Sequence, residues 1–213
     1  MKVSKILSVL LVVLSLGFVG CGGEMYFFKF SITEPEIAKT ISSPTGQDKN
    51  SVKMLYADSM ANFEFRIIGG PLGGYPGDNM GTNYRGISIV ISNNTDSIIT
   101  IDWNRVTFID PNGTSGNSVM HNNIKYTDCS SNKSPSIISP KGRLVDDIVP
   151  CYGVRFNSGG DFSLAGWEVK MIPDASEIKN VTFGLYLPIQ FGTIIRNYIF
   201  SINGESVYVP PSY

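Results

Sequence analysis

The chain has one histidine, three cysteines and few charges: only 16% of its 213 residues are Asp, Glu, Lys or Arg. A lone imidazole, His121, leaves too few soft ligands for a zinc centre, which wants about four. It is also the only base a Ser-His-Asp constellation could use, and no GxSxG elbow is present for it to serve. Neither sign of charge dominates, with 17 basic against 18 acidic residues. No basic stretch points to nucleic acid. No segment carries a convincing helical period, and "DASEIKN" supports one turn at most. After the N-terminus there is no second long apolar run, so nothing further along is expected to cross a membrane. Motifs that cradle phosphate, GxGxxG or a P-loop lysine, are missing, and no cofactor is expected.

What is present begins at "MKVSKILSVLLVVLSLGFVGCGGEM". Lys2 and Lys5 precede an apolar run over residues 6–20 that is short for a bilayer span. This is the layout of a secretory leader, which is set aside from fold reasoning. The run ends in "FVGC", which resembles the lipobox of bacterial lipoproteins, with Phe18 where leucine is usual. The resemblance implies that Cys21 takes a diacylglycerol and becomes the mature N-terminus. One acyl chain anchors only marginally, at about 0.8 kcal/mol per buried methylene, whereas two or three hold durably. The alternatives are an ordinary leader with Cys21 there by chance, or a short N-terminal membrane helix. Gly22 after the cysteine, rather than aspartate, resembles lipoproteins passed to the outer membrane of Gram-negative cells. The expected location is thus the bacterial cell envelope, with the membrane as partner through Cys21.

Removing residues 1–20 takes away two of the 17 basic residues and no acid, leaving 15 against 18 and a formal charge of −3. That length fits one domain, or one with an extension. Cys129 and Cys151 remain. In an oxidising envelope an even pair reads as a disulfide; the alternative is two free, buried thiols.

The rest of the chain is strand and turn. "MYFFKFSI" reads as a first strand. Alternation in "SVKMLYADSMANFEFRII" reads as a hairpin turning at "ADSMA". Residues 69–86, "GGPLGGYPGDNMGTNYRG", read as a long loop. "ISIVIS", "IITIDW", "VTFID", "VMHNNIKY", "PSIISP", "RLVDDIVP", "FSLAGWEVKMI", "NVTFGLYLPIQF" and "IIRNYIFSI" follow as strands. They are separated by "NNTDS", "PNG", "PKG" and "NGE" turns. About nine to eleven short strands with regular turn signals predict an all-β antiparallel sandwich. The expected organisation is a leader at 1–20, an anchor-proximal segment with a possible first strand at 21–51 and a β-sandwich domain at 52–213.

"YADS", "ISIVISNNTDSIITIDWNRVTFIDPNG", "SVMHNNIKY", "IISPKGRLVDDIVP" and "LYLPIQF" together resemble a family of bacterial secreted lipoproteins of unknown function with an immunoglobulin-like β-sandwich. The likeness runs over roughly residues 52–202. It implies that fold and no catalytic residues, and the glycine-rich stretch and the cysteine pair are departures from it.

Candidate sites are few. Asp110, Asn112 and Thr114 partly resemble a calcium loop but lack a third carboxylate and the bidentate glutamate; a hairpin turn is expected. Asp146 and Asp147 are adjacent in a strand, so they should face opposite sides and make a poor acid/base pair. His121 is expected as a strand residue bonded to a neighbour. Trp103 and Trp167 are expected in the inter-sheet core. The alternative is exposed platforms for sugar, with Tyr198, Tyr208 and Tyr213 as further candidates. The sequence therefore predicts a non-enzymatic structural or binding module with an envelope protein or glycan partner. The alternative is a hydrolytic or carbohydrate-active protein using loop 69–86.

Overall fold

The computed structural model describes residues 25–34, 39–41, 53–71, 82–121, 125–158, 166–173 and 176–209. The expected leader at 1–20, Cys21, Tyr213 and the middle of the glycine-rich stretch lie outside them. The described residues form fourteen strands, two 3-10 turns and no α-helix. The strands are β1 (Met25–Glu34), β2 (Lys39–Ile41), β3 (Lys53–Ala57), β4 (Ala61–Pro71) and β5 (Thr82–Asn93). Next come β6 (Ile99–Ile101), β7 (Thr107–Ile109), β8 (Asn117–Met120), β9 (Ser136–Ile138) and β10 (Arg143–Pro150). The last are β11 (Val154–Asn157), β12 (Gly166–Val169), β13 (Asn180–Phe191) and β14 (Ile194–Val209).

Every pairing is antiparallel. One hydrogen-bonded path runs β1-β14-β13-β7-β8-β10-β5-β4-β3-β2, with β6 and β9 branching from β13. The path folds back on itself and nearly closes into a barrel. Its two ends meet where β1 packs on β2, β3 and β4. Across that seam the Phe28 N–H donates to the Tyr84 phenol oxygen at 2.8 Å. Strands β11 and β12 pair only with each other, outside the main path.

Period-two alternation explains what faces inward. Phe63 and Phe65 of β4, Ile87, Ile89 and Ile91 of β5, and Phe200 and Ile202 of β14 are all buried. Between them lie Asn62, Arg66, Asn197 and Ile199, which are exposed. Phe200 bridges the two faces, with its ring 4.6 Å from Phe65 and 5.2 Å from Phe63. Aromatic pairs of this kind contribute about 0.5–1.5 kcal/mol each beyond area burial.

Strand β1 belongs to this core. It pairs with β14 from Met25↔Val209 to Glu34↔Ser201 and buries Phe28, Phe30 and Ile32. The packed unit therefore starts upstream of residue 52, where the sequence pattern alone put its beginning. β14 likewise runs unbroken through "NGE", where a turn was expected. Gly204 is the reason: a Cβ there would stand 2.8 Å from the Phe30 ring and 2.9 Å from Val181. The glycine makes room for Phe30 within a continuous strand. Part of the expected loop at 69–86 is also strand, because Gly69, Gly70 and Pro71 pair with Tyr84, Asn83 and Thr82.

The β3–β4 hairpin turns at "ADSMA" as predicted, on Asp58. Its Oδ1 accepts the Met60 and Ala61 N–H groups at 2.7 and 2.8 Å. Its Oδ2 accepts Arg196 and Tyr198 of β14 at 3.1 and 3.0 Å. One carboxylate thus closes a turn and ties it across the fold.

Asp58→Ala is expected to cost about 2–4 kcal/mol, because it strands partly buried donors. Asp58→Asn should cost less, and denaturant unfolding measures both. A second expectation is alkaline. Burial, then the adjacent Asp58 charge, holds the Tyr198 phenol well above its ordinary value near 10. Burial, with Asp110 adding, pushes Tyr152 up to about 12. The folded state keeps protons that the unfolded chain releases near pH 10. This stability is therefore complete below that pH and lost as pH rises toward 12. The double variant Tyr152→Phe/Tyr198→Phe should show a flatter decline in unfolding experiments over this range.

Candidate functional site

Asp146 and Asp147 part company on β10. Asp146 and Ile148 are buried, whereas Asp147 is exposed and Val149 half-buried. The two carboxylates thus face opposite sides, as period two requires. Asp146 instead meets His121, which lies just past the end of β8: Nδ1 is 3.1 Å from Oδ2, and both side chains are buried. The expected strand "VMHNNIKY" stops at Met120. His121 lies outside any strand, and Tyr126–Asp128 form a 3-10 turn. The His121 ring stacks on Trp103, with centroids 4.3 Å apart and planes inclined by 17°. Trp103 is fully buried, as expected, and its indole N–H donates to Ser136 Oγ at 2.8 Å. A carboxylate on Nδ1 fixes the ring's orientation and leaves Nε2 as the nitrogen available to another partner.

A second set of bonds holds the segment that follows the 3-10 turn. Cys129 and Cys151 are joined in a disulfide, with Cα atoms 5.7 Å apart. Asn104 and Lys133 exchange two bonds at 2.8 Å each, through the Asn104 amide and the Lys133 backbone. Lys133 is buried, and its ammonium donates to the Cys129 and Ser131 carbonyls at 3.1 and 3.2 Å. A buried lysine needs such acceptors, so the chain between Cys129 and Ser136 is fastened at several points.

Beside His121 lies an open groove of about 430 Å³, lined by Lys125 and Tyr126 and by residues of β4, β5, β8 and β10. Arg85, Lys125, Asp147 and Tyr126 supply its polar groups, with an edge of His121. Ile68, Met120 and Val149 give it an apolar floor. Met120 pairs with Val149 on the outward side of the sheet. The described lining contains no serine, threonine or cysteine, so the His121–Asp146 pair has no hydroxyl nucleophile except the Tyr126 phenol.

Trp167 is not in the core. It is 43% exposed, on the separate β11–β12 hairpin. Its ring packs instead on Phe156, at 5.2 Å, and on Tyr126, at 5.9 Å. These three form an aromatic ridge that begins at the groove. Of the other candidate platforms, Tyr198 is buried on Asp58, and Tyr208 is exposed beside Tyr26.

A larger cavity, about 490 Å³, lies beside the Asp110 turn. There Asp110, Glu168 and Glu177 offset Arg155 and Lys170, and Tyr152 is the one aromatic. The Tyr152 hydroxyl is already committed to the Met171 carbonyl. Asp110 closes the β7–β8 hairpin as expected, its Oδ1 accepting the Asn112 and Thr114 N–H groups at 2.9 and 3.0 Å. Among the described residues no three metal-binding side chains converge.

The sequence singled out His121, Asp146, Asp147, Trp103 and Trp167, and four of these lie in or against the groove or its ridge. Trp103 sits behind it. Arg85, Lys125, Tyr126, Phe156 and Lys133 were missed. Arg85 carries no periodic signal, since it sits at an irregularity of the strand, and Lys125 and Tyr126 carry no motif.

Cys129→Ser/Cys151→Ser should lower stability by about 3 kcal/mol. It should also loosen residues 125–133, raising their amide exchange while β13 and β14 stay protected. Equal stability, or unchanged exchange there, would deny the bridge this role. No family model, curated protein or solved structure matches this chain, so the site is read from its own geometry.

Proposed function

We propose that the protein is a lipid-anchored component of the bacterial cell envelope, and that its folded part is a non-enzymatic, immunoglobulin-like β-sandwich that binds a partner. Support for the anchor is the leader and "FVGC" ahead of Cys21. Support for the sandwich is the pair of sheet faces that meet through Phe63, Phe65 and Phe200. The observation that carries the binding reading is the groove beside His121. It unites cationic groups and an apolar floor, and an exposed aromatic ridge begins at its Tyr126. Loops fixed on a rigid sheet are where binding sites concentrate.

A hydrolytic reading has one observation in its favour, the buried His121–Asp146 pair. The groove's lining offers that pair no serine, threonine or cysteine to activate, and the middle of loop 69–86 lies outside the described residues. Binding is therefore the better reading.

Cys21→Ala should leave an unlipidated precursor that no longer enters the detergent phase on partitioning. Unchanged partitioning would contradict lipid attachment. Cross-linking in intact envelopes, followed by purification of the protein, should yield a reproducible partner with adducts near Lys125. Failure to find any partner over repeated preparations would contradict the binding reading.

A further inference from the structure

We propose that the groove beside His121 takes a carboxylate carried on an apolar body, the chemistry of the C-terminal residue of a peptide; this rests on the binding reading above and names the ligand class of the same site.

The first support is Arg85. Ile68 pairs with Gly86 and Gly69 pairs with Tyr84, which leaves Arg85 as the extra residue of a β-bulge. Bulges re-aim a side chain and are common beside binding sites. Glycines with no substitute frame this one. Gly69 has φ +109°, and a Cβ there would stand 2.0 Å from the Asn83 carbonyl oxygen. A Cβ on Gly86 would stand 2.4 Å from the Ile148 carbonyl oxygen. The backbone is thus built to present Arg85 at the groove.

The second support is charge. Arg85 and Lys125 make no ion pair among the described residues. They face a groove whose described lining holds one carboxylate, Asp147. Two cations against one anion leave a surplus suited to a monoanion, which favours a carboxylate over a doubly charged phosphate. A guanidinium also takes a carboxylate through two parallel hydrogen bonds.

The third support is the order of chemistry along the groove. The tautomer that gives Nδ1–H to Asp146 carries an acceptor at Nε2. An acylated amino acid offers both parts, a carboxylate for Arg85 and Lys125 and an amide N–H for His121. Its side chain can cover Ile68, Met120 and Val149. The rest of a peptide would then pass Tyr126 toward Trp167 and Phe156, which are 43% and 59% exposed.

Titration calorimetry on the full chain tests this with N-acetyl-L-phenylalanine, its uncharged amide and inorganic phosphate. The acid is expected to bind, and the amide to bind at least about tenfold more weakly. Arg85→Gln should cost the acid about tenfold or more. Arg155→Gln, at the other cavity, should leave binding unchanged. Both arginines are exposed, and a thermal melt confirms that each variant is folded. Equal binding of acid and amide, tighter binding of phosphate, or indifference to Arg85→Gln would each overturn the proposal. If no probe binds while envelope cross-linking still captures a partner, the carboxylate assignment fails and the binding reading survives. If neither gives a signal, both fail.

Discussion

The structure depends on one constraint: along each long strand, alternate side chains must enter a core shared by two faces of the same sheet. Phe63 and Phe65 on β4 and Tyr198 and Phe200 on β14 meet across that core at ring distances of 4.6 to 5.2 Å in the closest pairs. Burying a large apolar side chain is worth about 1.5–3 kcal/mol, and this seam holds several. Register follows from it, since a slip by one residue would turn the whole apolar row outward. Asp58 sits at the rim of the seam and fixes the relation between the β3–β4 hairpin and β14.

Polar groups are thereby driven to the ends and outer faces, and the exceptions locate the site. Asp146 occupies an inward position of β10, where a carboxylate is costly unless paired. His121 is its partner, placed just past the end of β8 at Met120. Trp103 seals the pair from behind. The segment that leaves the sheet would be poorly held by the core alone. The disulfide, Lys133 and Asn104 hold it instead between Cys129 and Ser136, and the groove opens nearby, between Lys125 and Tyr126 and the strands.

The fold was largely legible in the sequence because alternation in "NFEF", "ISIVIS" and "NVTFGLYLPIQF" is a direct imprint of the sheet. Turns made by Asp58, Asp110 and Asn93 were legible for the same kind of reason, since short side chains that bond nearby N–H groups mark themselves. Gly204 misled because a glycine after asparagine signals a turn, whereas here it clears space for a ring from a strand more than 170 positions away. Trp167 misled because composition cannot say whether a strand has a layer above it. His121, Asp146 and Asp147 could be chosen as candidates, but their partnership could not. Asp146 and Asp147 look alike in sequence, and only the pleat separates them. Arg85 was invisible, since a bulge erases the period that would have announced it.

The most direct test of one shared core is amide hydrogen exchange along β1, because this strand is what extends the packed unit beyond the clear sequence pattern. Amides of Met25–Glu34 that pair with β14 should exchange as slowly as those of β13. Rapid exchange throughout β1 with β13 still protected would contradict the account, reducing the fold to the strands after residue 52.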